Sequence, residues 1–267
     1  MKGVLRSWDV GRARPAPRRA GAVIDLAQIP LRPLLSLLAR PRWQGVENLP
    51  ATGPAIACGN HLSAFDPLGY GHLLQASGIA PRFLAKESLF RVPVLGTLLR
   101  QSRQIPVRRG TSRSGDALGD ARAALGRGEL LMIFPEGTYT RDRHLWPMQG
   151  RYGAARLALE TGAPLVPIAS WGSRALWPVG SPVPHPGPGR RVQMLVGEPF
   201  TVSRREGETS QQAVRRVTEE LMARIAELLG RLRGETPPAV LHDGSMDAHR
   251  PEIGRTQPGY RAWKQES

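Results

Sequence analysis

The chain has 267 residues and a formal net charge of +15 at pH 7, a length that suits one large domain or two small ones with a buried core. Its only cysteine, Cys58, excludes an internal disulfide and a cysteine-based metal cluster, and it favours a reducing compartment. Because no zinc finger or RNA-binding aromatic signature accompanies the positive charge, nucleic acid is the less favoured partner, and an anionic membrane surface fits the charge better.

The two ends of the chain differ from its middle. Residues 1–20 are basic and contain two prolines, which predicts a flexible arm rather than a signal peptide. Residues 21–40 are apolar but interrupted by charges and prolines, too short a run for the ~20 residues that cross a bilayer. They predict two amphipathic helices that lie in a membrane interface, and the alternative is that these helices pack on the core. Residues 234–267 lack periodicity, so we expect a disordered tail, and residues 41–233 remain as the folded domain.

Within that domain, short apolar runs alternate with helical patterns. Apolar runs bounded by chain-breaking residues predict strands at 42–46, 54–59, 82–86, 104–107, 129–134, 165–170 and 192–196. Helical patterns predict helices at 67–75, 89–99 with an interruption at Pro93, 116–125, 152–161 and 210–233. The proline- and glycine-rich stretch 178–189 is assigned as a loop. The alternation predicts an α/β fold, with a mostly parallel central sheet flanked by helices and an N-terminal amphipathic helical segment.

His61 and Asp66 lie five positions apart, directly after the predicted strand 54–59. On a continuous helix they would be separated by about 140° and could not meet, so a turn must lie between them. Pro67 favours a helix that starts there, with Asp66 as its N-cap. An aspartate bound to one imidazole nitrogen would let the other nitrogen accept a proton from a hydroxyl group. Alternatively, Asp66 only caps the helix and His61 is a polar loop residue.

A second polar loop, Pro135-Glu136-Gly137-Thr138, follows the predicted strand 129–134. Proline stiffens such a loop, and glycine lets the backbone approach a ligand. Glu136 and Thr138 could form hydrogen bonds to hydroxyl groups. Taken alone, the loop is equally well explained as a turn without function.

The two loops together carry a family resemblance. Asn-His-x-Ser-x-x-Asp at 60–66, followed by Phe-Pro-Glu-Gly-Thr at 134–138, resembles the glycerolipid acyltransferases, specifically the 1-acylglycerol-3-phosphate O-acyltransferase (lysophosphatidate acyltransferase) family. Ile105-Pro106-Val107-Arg108-Arg109 and Val166-Pro167-Ile168 look like the second and fourth motifs of that family. The resemblance covers roughly residues 40 to 200, and it makes the predicted domain 41–233 an acyltransferase domain.

The resemblance implies that a fatty acyl group passes from acyl-CoA or acyl-carrier protein to the free hydroxyl of lysophosphatidate, giving phosphatidate. It makes His61 the general base and Asp66 its orienting partner, with direct attack and no acyl-enzyme. The residues that it implies in substrate binding are Arg109, Glu136, Gly137, Thr138, Asn60 and Ser63. Arg109 is the better phosphate ligand, because its guanidinium can make two charge-assisted bonds. Glu136 would bind a glycerol hydroxyl or hold an arginine in place, because a carboxylate does not attract a phosphate.

The chain also departs from the family pattern. Arg103 and Pro106 stand where glycine and phenylalanine are frequent in the second motif, and Tyr139 follows the third motif, where a small or basic residue is more usual. A glycolipid or an amino-acid lipid therefore remains an alternative acceptor. Three further arginines are either phosphate or carrier contacts or solvated surface residues: Arg108, Arg141 and Arg151.

The expected partners are a membrane lipid acceptor, acyl-CoA or acyl-carrier protein as co-substrate, and an anionic membrane surface. We expect no metal and no cofactor, because a thioester is already activated for acyl transfer. The resemblance places the protein on the cytoplasmic side of the cell membrane, as a peripheral or monotopic protein. The alternative from another class is a basic, non-enzymatic protein that binds membranes or nucleic acid and keeps the fold.

Overall fold

An eight-stranded sheet forms the centre of the computed structural model, which describes residues 5–6, 35, 39–107, 114–185 and 190–244. The strands are β1 (Leu5–Arg6), β2 (Arg42–Gln44), β3 (Ala55–Gly59), β4 (Pro81–Lys86), β5 (Ile105–Val107), β6 (Leu130–Ile133), β7 (Leu165–Trp171) and β8 (Gln193–Val196). Their order across the sheet is β1-β2-β8-β7-β3-β6-β4-β5. The β1–β2 and β7–β8 pairs are antiparallel and the other pairs are parallel, so the predicted mostly parallel sheet is confirmed.

Helices cover both faces of this sheet. They are α1 (Asp66–Ala76), α2 (Leu95–Gln101), α3 (Ser114–Gly126), α4 (Gly153–Thr161), α5 (Ser173–Leu176) and α6 (Ser210–Arg233), together with two 3-10 turns at Val46–Asn48 and Glu87–Arg91. Side chains of β3 alternate between the faces: Ala55 and Ala57 pack in one apolar cluster with α1, whereas Ile56 and Cys58 pack in another with α3, α4 and α6. This is the arrangement of a strand buried on both faces, and it explains the continuous apolar run in the sequence.

The register brings the carboxyl ends of the central strands to one edge. Gly59 at the end of β3 lies opposite Ile168 of β7, and Cys58 lies opposite Ile133 at the end of β6. The loops that leave these parallel strands therefore start side by side. Both polar motifs of the sequence lie in these loops.

Helix α6 has the predicted bounds. Thr209 and Gln212 form a capping box, in which each side chain accepts the backbone N–H of the other, and Gly234 ends the helix in the left-handed region at φ 67°. Such an N-cap contributes about 1 kcal/mol to helix stability. The buried apolar stripe of the helix includes Val217, Leu221 and Ile225.

The N-terminal segments are described only in part. Leu35 and Ala39, within the predicted amphipathic segment 21–40, are buried in the cluster that contains Trp43. At these two positions the segment packs on the core, which was the alternative to membrane contact. Leu5–Arg6, within the predicted flexible arm, pair with β2. Apart from Arg40, the rest of residues 1–40 lies outside the described residues. No helix in the described part of the chain is both long and apolar enough to span a bilayer.

The segment after α6 was predicted to be disordered, but residues 235–244 are not. The Gln149 amide donates to the carbonyl of His242, and the Arg141 guanidinium donates to the carbonyl of Gly244. These bonds hold the segment against the loop that precedes α4, because that loop offers backbone and guanidinium donors. Residues 245–267 lie outside the described residues.

Candidate active site

The turn after β3 brings His61 and Asp66 together. His61 Nδ1 lies 3.0 Å from Asp66 Oδ2, and the same oxygen accepts the backbone N–H groups of Leu62 and Ser63. Asp66 is fully buried. Because a carboxylate oxygen only accepts hydrogen bonds, this network assigns the ring proton to Nδ1 and leaves Nε2 as the acceptor of the neutral imidazole. The geometry is that of an oriented base.

The prediction that Asp66 caps helix α1 was wrong. Phe65 occupies the N-cap position and already has helical backbone angles, so Asp66 is the first helical residue and Pro67 follows inside the first turn. Proline is tolerated there because the first helical N–H groups have no partner in the helix. The carboxylate therefore accepts from the turn before the helix instead of from the helix itself.

Two aromatic rings hold the imidazole of His61. The Phe134 ring stacks on it at 4.2 Å between centroids, and the Tyr139 ring lies at 4.4 Å and is tilted by 53°. Only 13% of the His61 side chain is exposed. Tyr139, one of the departures from the family pattern, thus packs against the candidate base and restricts the rotation of its ring.

Glu136 positions the backbone of the candidate base. Its Oε1 accepts the backbone N–H of His61 at 2.9 Å, and its Oε2 accepts that of Met148 at 3.0 Å. The side chain is 3% exposed, and burial raises the pKa of Glu136 to about 8. Both oxygens are engaged by backbone donors, so Glu136 is a positioning residue that ties the loop after β6 to the backbone of the candidate base. None of these contacts is with an arginine, and the predicted contact with a glycerol hydroxyl stays a prediction.

Asn60 and Ser63, predicted to bind substrate, are buried and satisfied by the protein. The Asn60 side chain donates to the Ser170 carbonyl and accepts the Ser170 N–H, so it links the ends of β3 and β7. The Ser63 hydroxyl donates to the carbonyl of Trp177 at 2.6 Å. Both residues shape the turn instead of facing a ligand, because their polar atoms are already used.

The other predicted ligands have different surroundings. Gly137 has φ 70°, and a Cβ added there would meet Arg151 Nε at 2.6 Å, so the Arg151 side chain packs on this glycine. Arg141 is held by the segment after α6, as described above. Thr138 is half-buried in the same loop as Glu136. Arg108 and Arg109 lie outside the described residues.

One cation beside the site was missed. Arg174 lies on the short helix α5 at the carboxyl end of β7, and the residue after that helix, Trp177, is bonded to Ser63 in the turn of the candidate base. Its Nη1 atom is buried without a hydrogen-bond partner, as are the hydroxyl oxygens of Ser170 and Ser173. No acidic partner of Arg174 is found among the described residues. Burial lowers the pKa of Arg174, but a guanidinium stays charged. An arginine four residues after the end of the predicted strand 165–170 was the available sequence signal.

The chain is similar to known acyltransferases. Residues 40–171 match a family model described as acyltransferase. A 1-acyl-sn-glycerol-3-phosphate acyltransferase of Bacillus subtilis is 30% identical over 206 residues, which cover 76% of this chain and 94% of that protein. A chloroplastic enzyme of the same name from Brassica napus is 34% identical over 140 residues, covering 52% of this chain and 39% of that protein.

A solved structure is also similar. It is the crystal structure of the 1-acyl-sn-glycerophosphate (LPA) acyltransferase PlsC from Thermotoga maritima, with a TM-score of 0.59 and 26% identity, covering 77% of this chain and 78% of that one. The present chain spans about two fifths of the length of the plastid relatives that it matches, 39% and 38% in the two cases.

Proposed function

The chain belongs to the acyltransferase family, and from this premise we propose that it transfers a fatty acyl group from an acyl thioester to the hydroxyl of lysophosphatidate, giving phosphatidate for phospholipid synthesis. The observation that carries the proposal is the contact of 3.0 Å between His61 Nδ1 and Asp66 Oδ2 at the carboxyl end of β3. The names of the relatives from Bacillus subtilis and Thermotoga maritima support the acceptor.

In the proposed reaction, His61 Nε2 takes the proton of the acceptor hydroxyl while the hydroxyl oxygen attacks the thioester carbonyl carbon. The carboxylate of Asp66 stabilises the imidazolium that forms. When the tetrahedral intermediate collapses, the carbon–sulfur bond breaks and the imidazolium returns the proton to the leaving thiolate. The products are the acylated lipid and a free thiol, and the reaction requires no cofactor.

Direct attack is supported by the state of the two alternative nucleophiles. Cys58 is fully buried in β3, and burial raises the pKa of its thiol. A protonated, inaccessible thiol is a poor nucleophile. The Ser63 hydroxyl donates to the Trp177 carbonyl. Neither side chain is available to form an acyl-enzyme in this geometry.

For the acceptor phosphate we propose two cations. Arg109 is assigned by its motif alone. Arg174 is assigned by its buried, unpartnered Nη1 beside the turn of the candidate base. A buried guanidinium without an anion is costly, and a phosphate offers oxygens for charge-assisted bonds. The unpartnered hydroxyls of Ser170 and Ser173 are further donors in the same stretch of chain.

The donor, acyl-CoA or acyl-carrier protein, and a peripheral position on the cytoplasmic side of the cell membrane complete the proposal. It is tested by measuring thiol release with the purified chain from palmitoyl-CoA and, separately, from palmitoyl-acyl-carrier protein. Lysophosphatidate, a lysoglycolipid and an acyl-acceptor amino-acid lipid are supplied separately. Release that depends on lysophosphatidate supports the proposal. Release only with another acceptor would assign that acceptor in place of lysophosphatidate. No release with any acceptor or carrier would contradict acyl transfer.

The same assay tests the base. His61→Ala should abolish turnover, because it removes the group that accepts the proton. His144→Ala is the matched control, since His144 is an exposed histidine of a surface loop and should leave turnover unchanged. Wild-type rates in the His61 variant, with an unchanged circular dichroism spectrum, would remove His61 from the mechanism.

A further inference from the structure

The chain after β4 forms a small apolar lobe, residues 87–101, that consists of the 3-10 turn Glu87–Arg91 and helix α2. The sequence predicted one interrupted helix at 89–99, and the structure has two short ones on either side of Pro93. The lobe carries seven large apolar side chains: Leu89, Phe90, Val92, Val94, Leu95, Leu98 and Leu99. None of them is buried, and Gly96 is the only buried residue of the lobe. Such a concentration of exposed apolar groups marks an interaction surface.

The lobe has a defined internal structure. Arg100 Nη1 donates to the Phe90 carbonyl at 2.7 Å, and the Gly96 amide donates to the Val92 carbonyl. A Cβ at Gly96 would lie 2.1 Å from the Phe90 carbonyl oxygen, so only glycine permits this packing of the two turns. Val94 at the tip is 73% exposed and has φ 63°, a conformation that β-branched residues rarely adopt. The exposed surface is therefore held in place by its own hydrogen bonds.

Positive charge surrounds this apolar surface. Lys86, Arg91, Arg100 and Arg103 are all exposed. Glu87, the one acidic residue of the lobe, is paired with Arg91, and Arg103 is paired with Glu129, both at 3.9 Å. Exposed apolar side chains within a rim of cations fit the interface of an anionic bilayer, where the apolar groups enter the acyl boundary and the cations meet the headgroups.

The lobe also lies on the functional edge of the sheet. It follows the carboxyl end of β4, which is parallel to β6, and β6 is parallel to β3, the strand that leads to His61. A bilayer that received the lobe would meet the same edge as the candidate base. A lipid acceptor could then reach the base without leaving the membrane surface.

We propose that the lobe at residues 87–101 docks the protein on an anionic phospholipid bilayer, with Val92, Val94 and Leu95 entering the interface. The proposal rests on the proposed function in one respect, because the lipid nature of the acceptor gives the docking its purpose. It differs from the sequence prediction, which assigned membrane contact to residues 21–40.

The test is flotation of the full chain with vesicles of phosphatidylcholine, with or without phosphatidylglycerol. Val92→Ser/Val94→Ser/Leu95→Ser removes apolar surface without touching a buried residue. Val183→Ser/Val240→Ser is the control, since these valines are also exposed, at 57% and 78%, but lie outside the lobe. We expect the lobe variant to partition roughly tenfold or more weakly onto anionic vesicles, and the control to bind like the wild type. Arg91→Glu should weaken binding to anionic vesicles only.

Each other outcome is decisive. Binding of the lobe variant equal to that of the wild type overturns the proposal. The wild type could instead fail to bind vesicles and sediment as a dimer, with the lobe variant sedimenting as a monomer. That result would assign the surface to a second copy of the chain and would also overturn the proposal. Turnover separates this proposal from the proposed function: the lobe variant should keep its rate on acceptor in detergent micelles and lose it on acceptor in vesicles. Absence of any turnover contradicts the proposed function, while flotation still decides the docking.

Discussion

Glu136→Gln is the substitution that examines the candidate site most directly. The change preserves shape and removes one acceptor, whereas the carboxyl group accepts two backbone N–H groups, those of His61 and Met148. A protonated carboxyl still accepts on both oxygens, but an amide nitrogen does not accept. One buried N–H therefore loses its partner in the variant, which costs about 1–3 kcal/mol of stability. This cost does not depend on pH.

The wild type carries a second, pH-dependent cost. Burial raises the pKa of Glu136 from 4.5 to about 8. Between these values the unfolded chain releases the proton and the folded chain keeps it, so stability falls as pH rises. The loss is roughly 1.4 kcal/mol for each pH unit, about 5 kcal/mol across the window. It is absent below pH 4.5 and complete above pH 8.

The two costs together predict a change of sign. At pH 5 the wild type should be more stable than Glu136→Gln, and at pH 9 the variant should be the more stable protein. Urea unfolding followed by tryptophan fluorescence from pH 5 to 9 measures the difference. Glu208→Gln is the control: Arg216 lowers the pKa of Glu208 to about 2, so its contribution is lost only below pH 5, and its difference from the wild type should be flat in this range. A constant difference for Glu136→Gln would refute the raised pKa and the buried carboxyl that causes it.

Three further substitutions test the assignments at the site. Asp66→Asn keeps an oxygen for the three N–H donors of Asp66 and places the amide nitrogen where Oδ1 has no partner. The kcat should fall about a hundred- to thousandfold, with the acceptor KM little changed. An unchanged kcat in the thiol-release assay would contradict the charge role of Asp66. Arg174→Gln should raise the acceptor KM about tenfold or more without changing that of the thioester, with Arg174→Lys in between; an equal effect on both substrates would remove Arg174 as a phosphate ligand. Cys58→Ala should keep the wild-type kcat, because the thiol is buried and unused. A large fall in kcat with the fold unchanged would support an acyl-enzyme on Cys58.

The fold was predictable where the sequence carries its own boundaries. Strands β3 and β6 are continuous apolar runs between breakers, and the cap residues define α6, so their predicted limits differ little from those observed. The antiparallel pairing of β7 and β8 was not predictable, because its direction depends on the path of the chain between them. Helix α5 is four residues long, which is too short to show a helical period.

The site was predictable at its side chains and not at its backbone. The turn between His61 and Asp66 follows from Pro67 and the spacing of the pair. The role of Glu136 does not, because its partners are two main-chain N–H groups, and any residue other than proline supplies one. The structural role of Asn60 was not predictable for the same reason, because its side chain bonds the main chain of Ser170, 110 positions away.

The segment after α6 is bonded to the loop that supports the candidate base. Met148 donates its N–H to Glu136, and the next amide, of Gln149, donates to His242. Two adjacent main-chain groups thus connect the last described stretch of chain to the carboxyl group that holds the backbone of His61. A chain shortened to end at Arg233 would keep the described strands and helices but lose the contact between Gln149 and His242. We therefore expect such a chain to fold and to lose activity.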